Sequence, residues 1–104
     1  MEESIEKEEE KEETIKAPEG YPFLRVQIVA KDTVTNEYVK RNFVIDYTHC
    51  CPMYWHSRTL NGEKCTKVIL DNGDAVTFAI GFKAACNLIE PFNYFKAITG
   101  QYLR

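Results

Sequence analysis

Residues 53–80, MYWHSRTLNGEKCTKVILDNGDAVTFAI, place two Asn-Gly pairs between three short runs of strand-forming residues. Tight hairpins favour this dipeptide, because both residues tolerate the positive φ that a strand reversal demands. The stretch therefore predicts a three-stranded antiparallel meander turning at Asn61-Gly62 and Asn72-Gly73.

The register follows from which residues come out apolar together. A two-residue turn at Asn61-Gly62 pairs Trp55 with Val68 and Met53 with Leu70 on one side of the sheet. A second two-residue turn would put Val68 opposite Thr77 and throw Val76, Phe78 and Ile80 onto the other side. One extra residue repairs this. With a three-residue loop, Asp71-Asn72-Gly73, and Gly73 left-handed in a bulge, Val68 meets Val76 and Thr66 meets Phe78. Met53, Trp55, Val68, Leu70, Val76, Phe78 and Ile80 then share one face, expected to be core.

After the meander, Phe82, Ala85, Cys86 and Ile89 recur at helical spacing, a stripe suited to lie across that face. Cys86 on this stripe reads as a small buried hydrophobe. Pro91 suits the first turn of a second helix carrying Phe92, Phe95 and Ile98, with Thr99-Gly100 as its stop. The alternative is one helix kinked at Pro91.

Before the meander, FLRVQIVA (23–30) alternates Leu24, Val26, Ile28 and Ala30 against Phe23, Arg25, Gln27 and Val29, the period of a half-buried strand. YVKRNFVIDY (38–47) turns Phe43, Ile45 and Tyr47 inward and Lys40, Asn42 and Asp46 outward. These two strands form a first hairpin, joined to the meander through THCCP (48–52). The expected fold is α+β, an antiparallel sheet of about five strands with one or two C-terminal helices packed on one face.

Charge divides the chain in two. Residues 1–19 hold nine glutamates against Lys7, Lys11 and Lys16, whereas the remaining residues carry ten basic and seven acidic side chains. Ile5 and Ile15 are too far apart to form a stripe, and the surplus glutamates repel one another, so 1–19 is expected to be a disordered acidic tail. Residues 20–104 form the single domain. The chain has no basic, apolar leader and no long apolar run, so the expectation is a cytoplasmic protein without a membrane segment.

The four cysteines, Cys50, Cys51, Cys65 and Cys86, are expected as free thiols in a reducing compartment. His49, Cys50, Cys51 and His56, with Cys65 further on, are the cluster richest in metal-ligand types. Zinc knuckles space their cysteines so that both can converge, and adjacent residues of an extended chain point oppositely. No metal or cofactor is expected. The chain also lacks a nucleophile elbow, a phosphate-binding glycine loop and a convincing acid pair, so it is expected not to be an enzyme.

Tyr54, His56 and Arg58 alternate with the inward residues of the third strand and share the outward face with Lys67. Aromatic anchors on such a face, with a flexible acidic arm, suit a small non-catalytic regulatory protein that docks on a larger, basic or nucleic-acid-binding protein. An acidic arm that engages a basic surface is a device typical of phage- or plasmid-borne inhibitors. The alternative is a nucleic-acid-binding domain in which Tyr54, His56, Arg58 and Lys67 stack on bases and contact phosphate, the tail acting as autoinhibitor.

Overall fold

A computed structural model describes residues 16–102, with side chains through 100. The acidic run expected to be disordered therefore lies outside the described residues, apart from 16–19.

The elements are β1 (Phe23–Lys31), β2 (Tyr38–Asp46), β3 (Pro52–Leu60), β4 (Glu63–Leu70), β5 (Ala75–Phe78) and a helix, α1 (Phe82–Tyr102). The strands form one antiparallel sheet in the order β2-β1-β5-β4-β3. A hairpin and a meander are thus joined through β1 and β5, where Ile28 faces Phe78. Two edges remain, β2 and β3.

Turn chemistry sets the meander as the sequence predicts. Asn61 (φ 51°) and Gly62 (φ 79°) take the left-handed pair of angles that a two-residue turn needs, and Gly73 (φ 94°) fills the bulge position of the second turn. Val68 lies opposite Val76 and Thr66 opposite Phe78. Asp71 also fastens the chain entering β3: its carboxylate accepts from the Cys51 amide at 3.1 Å, and its own amide donates to the Cys51 carbonyl at 3.0 Å.

The expected pairing of Met53 with Leu70 is corrected. The register slips between Pro52 and Tyr54, so Pro52 takes the place opposite Leu70. Pro52 is buried, whereas Met53 is 53% exposed and leaves the core face to which the alternation assigned it. The cause is a β-bulge, which swings one side chain out of the alternation.

The core comprises Leu24, Ile45, Tyr47, Val68, Leu70, Phe78, Ala85, Ile89 and Phe92. Each fully buried aliphatic or aromatic side chain here contributes about 1.5–3 kcal/mol relative to exposure. Thr66 is the polar residue deepest among them, and its hydroxyl donates to the Ile80 carbonyl at 2.9 Å. The stripe of α1 starts one turn later than expected: Ala85, Ile89 and Phe92 are buried, and Phe82 is 45% exposed. Cys86 is half-buried rather than a core residue; its sulfur accepts from the Trp55 indole at 3.2 Å.

Pro91 does not start a second helix. One helix runs through it and past Thr99-Gly100, with Pro91 inside. Ile89 and Phe92 on either side are both buried, so tertiary packing overrides the local break signal, and the exposed Pro91 ring faces water. No helix among the described residues is long and apolar enough to cross a membrane.

Candidate binding surface on the meander

The two faces of the meander are distinguished by what covers them. Trp55 and Val68 are cross-strand partners on the helix side, where the Trp55 indole reaches Cys86 and Val68 is fully buried. Residues between them in each strand face the other way. Tyr54, His56, Arg58 and Lys67, nominated from alternation, therefore do share one face, with His56 directly opposite Lys67. Tyr54 is 64% exposed, His56 and Arg58 are exposed and Lys67 is half-buried.

Arg58 is held in place on this face. One of its guanidinium nitrogens donates to the Thr77 hydroxyl at 3.2 Å, so the side chain lies diagonally across β4 toward β5. The Cys65 thiol, opposite Arg58 in the ladder and 3% exposed, donates to the Arg58 carbonyl at 3.4 Å. A basic group anchored by a neutral hydroxyl keeps its full charge for a partner.

Met53 joins this surface from outside the alternating set Tyr54, His56, Arg58 and Lys67. The bulge presents it beside Tyr54, so two large, mostly exposed side chains stand together at the start of β3, which is an edge strand. No sequence signal announces the bulge, since Met53 fits the alternation perfectly well.

The two edges differ in composition. Edge strand β2 carries Lys40, Arg41 and Asp46, charges of the sort that discourage an added strand, whereas β3 carries a single formal charge, Arg58. Charge along the meander is also graded. Asp71 and Asp74 occupy the β4–β5 turn, while Arg58, Lys64 and Lys67 lie toward the β3–β4 end, where Glu63 is the acid in the same hairpin.

The cysteine and histidine cluster separates into unrelated environments. His49 is 81% exposed and stands 3.5 Å from the Asp46 carboxylate, whose acidity is strengthened first by the Thr48 hydroxyl and then by the Thr48 amide. Burial raises the Cys50 and Cys51 thiols above their ordinary range, with the Asp71 carboxylate adding to the effect at both, so both are protonated at neutral pH. His56 belongs to the outward face of β3. Among the described residues no three His, Cys, Asp or Glu side chains are grouped to hold a metal ion, and all four cysteines are free.

Comparison with known proteins assigns no relationship: no protein family, no curated protein and no solved structure matches this chain.

Proposed function

We propose that the protein is a small non-catalytic binding protein that docks on a larger protein through the open edge and outward face of β3. The observation that carries this reading is the pair Met53 and Tyr54, 53% and 64% exposed, on an edge strand of nine residues with one formal charge. An extended segment of a partner can add to such an edge by main-chain hydrogen bonds, while exposed aromatic and thioether side chains supply the apolar anchor. Arg58, Lys67 and His56 favour an acidic rim on that partner. The glutamate-rich segment 1–19 acts separately, as a salt-sensitive arm toward basic surfaces.

The nucleic-acid reading retains one observation in its favour, the interleaving of Tyr54 with Arg58 and Lys67 on a single face. The two readings part on the identity of what is captured.

The test is comparative capture from a lysate of the source organism by the unaltered chain and by a Met53→Ser/Tyr54→Ala variant. Both side chains are largely exposed, so the variant keeps its fold. A protein retained by the first and lost by the second, and seen cross-linked to β3, supports docking. Equal capture by both sinks it, and nuclease-sensitive capture favours the nucleic-acid reading.

A further inference from the structure

The tip of the β3–β4 hairpin and the start of α1 face each other across a cleft of about 690 Å3, within the range of small-ligand sites. Arg58 and Lys64 line it from the hairpin and Lys83 from the helix. Ser57 and Thr59 add hydroxyls, and Phe82 adds a ring that is 45% exposed. These residues come from three separate elements, and no sequence motif joins them.

Two features of this cleft call for an occupant. Among the described residues the ion pair present is His49–Asp46, so Arg58, Lys64 and Lys83 have no carboxylate within pairing distance. Three like charges around one concavity repel one another and concentrate anions there. The second feature is Phe82. The helical spacing places it on the apolar stripe with Ala85 and Ile89, yet Phe82 lines the cleft and stays 45% exposed while the Ala85 and Ile89 side chains are buried.

We propose that this cleft binds a nucleotide, its phosphates held by Arg58, Lys64 and Lys83 and its base laid on Phe82. Inorganic phosphate would satisfy the cations and leave the ring unused, and a neutral aromatic would do the reverse. A nucleotide supplies several negative charges and a π-face in one molecule of suitable size. The same groups would accept a free nucleoside diphosphate or one unit of a single strand. Ser57, Arg58 and Thr59 of β3 belong to both this site and the proposed docking strand, whereas Lys64, Phe82 and Lys83 belong to the cleft alone.

The experiment is a titration of the full isotope-labelled chain with ADP, adenosine, pyrophosphate and an unstructured oligonucleotide, followed by amide and aromatic-ring shifts. ADP is expected to move the amides of residues 57–59, 64, 65 and 81–84 and the Phe82 ring, and to bind about tenfold or more tightly than pyrophosphate or adenosine. Lys64→Ala/Lys83→Ala is expected to weaken ADP about tenfold or more, and Phe82→Ala to abolish the preference over pyrophosphate. All these side chains are exposed, so melting temperatures should stay close to that of the unaltered chain.

An oligonucleotide that competes with ADP, its salt slope falling by about 0.7 per lysine removed, assigns the strand as the source; ADP binding alone assigns the free nucleotide. Shifts elsewhere on the molecule, affinity untouched by the double lysine substitution, or pyrophosphate binding as tightly as ADP would overturn the proposal. Tyr54→Ala, which removes the docking anchor, should leave ADP affinity unchanged, so the two sites fail or survive separately.

Discussion

The Tyr47 phenol donates to the Asn93 side-chain oxygen at 2.6 Å, tying the end of the first hairpin to the middle of α1. Asn93 passes the link on, its amide donating to the Pro52 carbonyl at 2.9 Å, and Lys96 donates to the Tyr47 carbonyl at 2.8 Å. Around this polar thread the Tyr21, Tyr47 and Phe92 rings pack in tilted pairs with centroids 5.3–5.8 Å apart. The start of β3, the connector before it and the helix are thereby held as one unit, and the bulge at Met53 hangs on that unit.

Tyr47→Phe should therefore cost about 1–3 kcal/mol, because Asn93 loses its donor partner in a half-buried site. The cost should shrink at alkaline pH. Burial, reinforced by Cys51, holds the Tyr47 phenol well above its usual 10.0, so above pH 10 the folded chain keeps a proton that the unfolded chain releases. Stability of the unaltered protein then falls as pH rises through that window, and the variant lacks this component. Urea unfolding of both at pH 8 and pH 10.5 measures it; an unchanged gap contradicts the assignment.

Gly73 at φ 94° has no atom within 4 Å of where a Cβ would stand, so Gly73→Ala carries a purely conformational cost of roughly 1 kcal/mol. Gly73→Asn should cost less, since asparagine tolerates left-handed angles. If alanine and asparagine prove equally neutral in thermal melting, the bulge is not what fixes the register.

That register was legible because turn chemistry and face consistency agree: only the bulged loop gathers Val68, Val76 and Phe78 on one side. Alternation likewise placed Tyr54, His56, Arg58 and Lys67 together. It failed at Met53 because a bulge shifts one strand against another without leaving a compositional mark. The continuity of α1 was hidden by Pro91, whose local preference yields to the burial of Ile89 and Phe92. The cleft was invisible for a different reason: Lys64 and Lys83 line one cleft only because the chain returns from β5 to the β3–β4 hairpin, and a juxtaposition of that kind has no period in the sequence.

Pro91 offers a test of how tightly packing dictates the helix. Its exposed ring occupies an interior helical position and leaves the Asn87 carbonyl without the usual amide partner. Pro91→Ala should restore that bond and stabilise the protein by roughly 1–3 kcal/mol. A lower melting temperature instead would mean that a bend at Pro91 is needed to seat Ile89 and Phe92 together.

Docking through β3 and the acidic arm should separate by their response to salt. With Tyr54 as the proposed apolar anchor, Tyr54→Ala should weaken partner binding by about 2 kcal/mol, near thirtyfold, at any ionic strength. The proposed arm would act through charge, since residues 1–19 carry nine glutamates and three lysines. Raising salt from roughly 50 to 200 mM shortens the Debye length from about 14 to 7 Å, which should erase most of the arm's share while leaving the Tyr54 contribution intact. Measuring affinity for the captured partner with the full chain, a chain beginning at Gly20 and the Tyr54→Ala variant at both salts gives the two terms independently. If the shortened chain binds as tightly as the full one at low salt, the arm contributes nothing to docking; if the Tyr54→Ala effect vanishes at high salt, the anchor is electrostatic and the outward face, rather than the apolar edge, makes the contact.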